Sequence, residues 1–382
     1  MIKHHDLDES RVNICNTMKL LLYKQQPDLI HKVDFDNDDT FLEPCLQAYF
    51  SEKEALNLPD EVIAEYLQGY FLEKEEIQTN HTANHFDIAY LPEIGYVRKG
   101  EKQPFSPVQL IEGTKIELLR YNIPLFSPQI MAIPEESQEF YDELIEKYLP
   151  ALTNAVHYIR KSNPHHFSLI EKCCRRIIMF NTDPSNSNSF ASRKANGTAF
   201  FNVYQEDYDE VFFIDDVAHQ TGHIILTTLF YDPKVIYKID QSIDVEDILG
   251  SRDHRTINVL VHALYTYYTT FLCLDNCLDH NCFTNEEQKQ EALGRIGFYM
   301  GKYNNDLKRF RFIQNHFGGI DNMFTEAGLT VVNSIQEKYE EMQLKWGEAV
   351  KSLSYAGQTY NFSRSRFFET NTFEHDLVVK DF

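Results

Sequence analysis

The stretch at 214–232, "IDDVAHQTGHIILTTLFYD", carries two imidazoles, His219 and His223, four positions apart. On a helix that spacing brings two side chains to about 5–6 Å on one face, close enough to share a metal ion. Val217, Ile224, Ile225 and Leu226 around them are apolar, so the pair is not simply solvated. Asp215 and Asp216, one turn earlier, could accept from the His219 ring and orient it. The competing reading is two core histidines satisfied by ordinary hydrogen bonds. Spacing alone does not decide between them. "NHTANHF" repeats it with His81 and His85, in polar, turn-like surroundings where no metal site is expected. Gln220 stands where a zinc peptidase has the glutamate that takes a proton from metal-bound water. Glutamine cannot take that proton, so a hydrolase loses its base at this catalytic position.

A third ligand strengthens the metal reading. "DHRTINVLVHALYTYY" puts His262 inside an apolar helix, with Arg255 seven residues before it. Seven residues advance roughly 700°, within about 20° of two full turns. The spacing therefore predicts Arg255, Asn258, His262 and Tyr265 on one stripe. A cation, an imidazole and a phenol on an apolar helix fit a metal ligand beside a carboxylate anchor for a small acidic cosubstrate. Arg252, Arg193, Tyr265 and Asn258 are further candidates for that pocket. Nitrogen-rich ligation with open positions suits Fe(II), which can bind a chelating 2-oxo acid and O2.

The span 192–268 resembles the HExxH-type 2-oxoglutarate-dependent peptide β-hydroxylases of ribosomally made peptide pathways. That family has a Ser-Arg-containing segment with a short strand, a helix bearing HExxH, a WRxDPRP-like stretch, and a helix with a histidine before a small residue and an aromatic. Here these are "ASRKANGTAFFNV", "VAHQTGHIIL" and "SRDHRTINVLVHALY". Gln220 replaces the motif glutamate, and His254 and Thr256 replace both prolines. The resemblance implies His219, His223 and His262 as iron ligands and Arg255 facing 2-oxoglutarate. It implies hydroxylation of a side-chain carbon of a peptide, with or without a leader segment.

One rival metal site and one rival ligand for the histidine pair are read from the sequence. "CLDNCLDHNC" supplies Cys273, Cys277, His280 and Cys282, which suit zinc chemically but lack a standard knuckle spacing. Glu246 could serve as a carboxylate ligand 23 residues after His223 in a zincin-like hydrolase. A third reading is a non-catalytic helical peptide-binding protein that has lost the chemistry. "GRIGFYMG" at 294–301 follows no strand, so it reads as a close helix crossing and not a phosphate site. "DLKRFRF" at 306–312 and Trp346 read as a solvated helix face and as packing.

The bulk numbers frame these sites. The chain has 382 residues, 43% hydrophobic and 25% charged, with only 15 Gly and 13 Pro. Few breakers favour long helices. A net charge of −22 argues against nucleic acid and an anionic membrane surface. Seven cysteines in a chain too large to need staples fit reduced thiols in a cytoplasm, and no signal-like N-terminus or run of about 18 apolar residues is read. The expected fold is mainly helical, with a small β element ("TAFFNVY") before the metal helix, and no jelly roll. Three regions are expected: 1–180, helical and possibly substrate-holding; 181–303, the metal-binding core; 304–382, helices and a polar tail. Oligomeric state is not readable.

Overall fold

The computed structural model describes residues 4–129 and 136–373. The first half of the chain forms α1 (His4–Gln25), α2 (Pro27–Ile30), α3 (Asp38–Phe41), α4 (Pro44–Leu56) and α5 (Glu61–Leu67). Strands β1 (Ile88–Leu91), β2 (Gly95–Arg98) and β3 (Glu117–Leu119) follow. Next come α6 (Gln138–Ser162), α7 (Pro164–Cys173), β4 (Arg176–Phe180), β5 (Phe190–Ala191) and β6 (Thr198–Asn202). The rest is α8 (Glu210–Leu229), α9 (Val245–Leu249), α10 (Ile257–Asp279), α11 (Glu286–His316), α12 (Ile320–Met323), α13 (Glu326–Lys351) and α14 (Arg364–Thr370). Among the described residues the fold is mainly α with a minor β component and no jelly roll.

The chain divides into two compact units that interleave along the sequence, where three consecutive regions were expected. The first unit comprises Met1–Thr153, Pro164–Tyr204 and Gln220–Tyr237; the second comprises Asn154–Asn163, Gln205–His219 and Lys238–Phe382. Helix α11 runs unbroken through position 303, where a boundary was placed.

In the first unit a four-stranded sheet has the order β3-β4-β6-β5. The β3–β4 and β4–β6 pairs are parallel and β5–β6 is antiparallel. Every residue of β4, "RIIMF", is buried, as expected of a strand covered on both faces. The apolar core gathers Phe41, Leu46, Tyr49, Ile63, Phe126 and Phe200. Arg176, fully buried at the head of β4, crosses this core. Its guanidinium donates to Glu43 through both terminal nitrogens, the Nη2 bond at 2.9 Å, and to Glu117 from Nε at 2.6 Å. Tyr70 donates to Glu43 at 2.7 Å and Tyr90 donates to Glu117. Burial alone would raise the Glu43 carboxyl. The Arg176 charge and hydrogen bonds, with Arg175 and the Cys45 N–H, outweigh it and hold the carboxyl down at about 2.

In the second unit α10 packs against α11 and α13, and α11 against α13. Helix α10 is long and apolar enough to cross a membrane by composition, and 78% of its most apolar window is buried inside the protein. The glycine run of α11 proves to be a seat for aromatic rings. A Cβ on Gly294 would meet the Phe367 ring at 2.5 Å, and one on Gly297 would meet the Val350 side chain and Tyr355. Trp346 donates to the buried Asp275 carboxylate at 2.8 Å.

Apolar spacing predicts one helix over 58–77, Pro150 predicts a break in the helix that holds it, and the tail from 354 reads as lacking periodicity; the structure differs at each. The helix expected over 58–77 is α5 followed by a 3-10 turn, Gln68–Tyr70. It stops where Gly69 lies against the Pro92 carbonyl. Helix α6 is not broken at Pro150 but carries it inside, since losing one ladder bond leaves the neighbouring turns of a long helix intact. The tail expected to lack periodicity contains α14, and residues 374–382 lie outside the described residues.

Candidate active site

Helix α8 presents the expected pair. His219 and His223 lie four positions apart within it, and both are half-buried. Gln220 between them is buried. Desolvation pushes the His223 imidazole down to about 4, so it is neutral at physiological pH, the form that binds metals. Asp215 is not the His219 acceptor proposed from spacing. Its carboxylate is engaged by Arg295 Nη1 at 2.7 Å and by the Thr270 hydroxyl at 3.4 Å. Burial raises its pKa, opposed by Arg295.

The second unit builds a cluster around His219. Its ring centroid lies 6.2 Å from that of Tyr267 and 5.8 Å from that of Tyr299, and the two tyrosine rings are 5.6 Å apart. Tyr267 donates its hydroxyl to Asp306 at 3.2 Å. Asp306 in turn accepts from Arg255 Nη1 at 3.1 Å and Nη2 at 2.8 Å. Arg255 also clamps Asp253, from Nε at 2.9 Å and Nη2 at 2.8 Å. Arg309 closes the group, with Nε 3.2 Å from Asp253 and Nη1 3.2 Å from Asp306. Two carboxylates and two guanidinium groups thus balance each other. A guanidinium has five N–H donors, and these four bonds leave Arg255 one.

The placement of Arg255 differs from the helical stripe expected. Helix α10 begins at Ile257, and Thr256 is its N-cap, with φ −78°, ψ 165° and its hydroxyl accepting from the Val259 N–H. Arg255 therefore precedes the helix, and the 700° argument does not reach it. Its position comes from extended backbone instead: its carbonyl accepts from Val245 at 2.8 Å, and Asp244 bridges Thr256. Asn258, His262 and Tyr265 are on α10; His262 and Tyr265 are buried.

The remaining candidates scatter. Arg252 is exposed and donates to His254 at 3.2 Å. Arg193 is an exposed residue of the first unit, in a short 3-10 turn after Ser192. Glu246, the rival zinc ligand, stands 3.1 Å from His254 with 44% of its side chain exposed. His280 is exposed, its Nδ1 2.9 Å from the Asn276 carbonyl, whereas Cys277 lies 3.4 Å from the Ser162 hydroxyl. Among the described residues no three or more His, Cys, Asp or Glu side chains are gathered to hold one metal ion.

Four functional candidates went unnoticed in the sequence. Asp306 and Arg309 belong to "DLKRFRF", a segment read as a solvated face. Tyr299 and Lys302 lie on the same helix, one to two turns earlier. Lys302 Nζ lies 4.1 Å from the Tyr360 ring centroid and 4.8 Å from that of Phe298, and it donates to the Tyr360 carbonyl at 2.6 Å. Burial lowers its pKa to about 8, opposed by Asp215 and Asp306. The usable signal was the i, i+3, i+7, i+10 spacing of Tyr299, Lys302, Asp306 and Arg309. The cluster offers an anion one Arg255 N–H and the Lys302 ammonium, beside an imidazole and two neutral phenols. No family model matches the chain, and no curated protein matches it.

Proposed function

We propose that the protein is a cytoplasmic Fe(II)- and 2-oxoglutarate-dependent oxygenase that hydroxylates a side-chain carbon of a ribosomally made peptide. One observation carries this reading: the connected path from His219 through Tyr267 and Asp306 to Arg255. The histidine and the arginine that resemble the family's motif residues lie far apart in sequence and share one network. Iron would be held by His219, His223 and His262, and would supply the redox chemistry with O2 and the 2-oxo acid. Arg255 and Lys302 hold the cosubstrate carboxylate. Asp253 and Asp306 fix the plane of the Arg255 guanidinium. The Tyr267 and Tyr299 rings shield His219 from water.

The test is anaerobic reconstitution with Fe(II), followed by a 2-oxoglutarate titration in the visible. The proposal expects one iron per chain, a weak charge-transfer band, loss of the band in Arg255→Ala, and loss of iron in His262→Ala. Unchanged iron content in His262→Ala removes it from the ligand set. A second reading, a non-catalytic peptide-binding protein, is favoured by Gln220 and by the ungathered histidines. It expects no stoichiometric iron and no 2-oxoglutarate affinity. A zincin-like hydrolase has no such support, since Gln220 removes its base and Glu246 faces His254.

A further inference from the structure

The first unit contains a cleft of about 320 Å³ that the oxygenase reading does not use. Its charged lining is Arg11, Lys115, Lys172 and Arg175 against Asp39 and Glu171, four cations to two carboxylates. The chain as a whole has 58 acidic and 36 basic side chains, so the balance in this lining is the reverse of the chain's composition.

Carboxylates reach two of these four cations, Lys172 and Arg175. Lys172 is paired with Asp8, outside the lining. Arg175 faces the Asp39 carboxylate at 3.6 Å and the Glu93 carboxylate at 3.7 Å, and it gives its shorter bonds to the Asp39 carbonyl at 2.6 Å and the Tyr70 hydroxyl at 3.2 Å. Glu171 accepts from the backbone N–H of Lys115 at 3.1 Å. The half-buried Arg11 donates to the Lys172 carbonyl, a neutral acceptor. Neutral polar groups complete the wall: buried Asn196 donates to Thr228 at 3.0 Å. Burial pushes the Cys173 and Cys174 thiols up to about 12, so they add no negative charge. Arg11 is half-buried and has no carboxylate partner among the described residues, a costly state unless an anion visits it.

We infer that this cleft binds a small phosphate- or carboxylate-bearing anion, gripped by Arg11, Lys115 and Arg175. A cleft of this volume is of small-molecule size and too confined for a nucleic acid strand. Guanidinium forks match both oxyanion types.

The experiment is calorimetric titration of the full chain with pyrophosphate and, separately, with citrate, at low and at high salt. Variants are Arg11→Gln, Lys115→Gln and the distant control Arg366→Gln. Lys115 and Arg366 are exposed, so those two variants fold whether or not Arg11→Gln does. The expected result is one saturable site, weakened by added salt, with Kd raised about tenfold or more in Arg11→Gln and Lys115→Gln and unchanged in Arg366→Gln. Binding of pyrophosphate alone identifies a phosphate ligand, and of citrate alone a carboxylate. No saturable binding of either probe overturns the inference, as does a Kd that is the same in all variants. Neither result depends on iron or 2-oxoglutarate.

Discussion

Replacing Arg176 by Met should be the most damaging single change in the first unit, and it should invert the protein's response to acid. The guanidinium faces Glu43, fully buried, and Glu117, 6% exposed. Met keeps the volume and leaves both carboxylates in the core. The drop of the Glu43 carboxyl from 4.5 to about 2 corresponds to roughly 3 kcal/mol of preference for the ionised form. Breaking a buried ion pair from one side costs roughly 3–5 kcal/mol, so the two figures agree. In the native protein the stability contributed by ionised Glu43 is fully present above pH 4.5 and is lost as pH falls toward 2. In Arg176→Met, burial raises the Glu43 carboxyl above 4.5, so that variant gains stability as pH falls through the raised value. Urea unfolding followed by far-UV circular dichroism at pH 7, 5.5 and 4 measures both effects. Adding Glu43→Gln and Glu117→Gln should restore part of the loss. A loss under about 1 kcal/mol, or a pH slope parallel to the native protein's, refutes the reasoning.

Other outcomes follow from single features. Gly69→Ala puts a Cβ 2.0 Å from the Pro92 carbonyl oxygen and should cost about 1–3 kcal/mol, visible as a lowered Tm; an unchanged Tm contradicts the contact. Burial, with His165 nearby, lowers the His166 imidazole from 6.5 to about 4. The unfolded chain then takes up that proton first, and stability falls as pH drops from 6.5 to 4, by up to roughly 3 kcal/mol. His166→Leu should flatten that part of the profile, and an identical profile argues against a buried neutral ring. A hydrogen bond from Cys277, helped by Lys161 and His280, lowers the Cys282 thiol to about 7, while the other six cysteines are raised. Brief iodoacetamide treatment of the native protein should label Cys282 first, as read by peptide mass spectrometry. Preferential labelling of any other cysteine rejects this.

What could be read in the sequence was local. The His219–His223 pair depends only on helical period, and α8 delivers it. The β element before that helix was visible in the alternation of "TAFFNVY". Strand β4 was not visible, because a short unbroken apolar run such as "RIIMF" reads equally as helix or strand. Arg255 was assigned to the wrong element, since the Thr256 cap stops the helix one residue short of it. Its partner Asp306 is 51 residues away, and no pattern within a window connects them. The same holds for Arg176, whose carboxylates lie 133 and 59 residues earlier.

That last separation has a consequence for how the protein is made. Glu117 is both the register partner of Arg176 across β3 and β4 and its ion-pair partner. Strand β3 has the preceding segment on one side through Leu110 and Glu117, but its other edge must wait for β4, a whole helical segment later. At roughly 5–20 residues per second the wait is several seconds, far longer than a helix needs to form. Through that interval an apolar strand edge stands open, so the nascent chain, more than the finished protein, is where chaperone contact should concentrate.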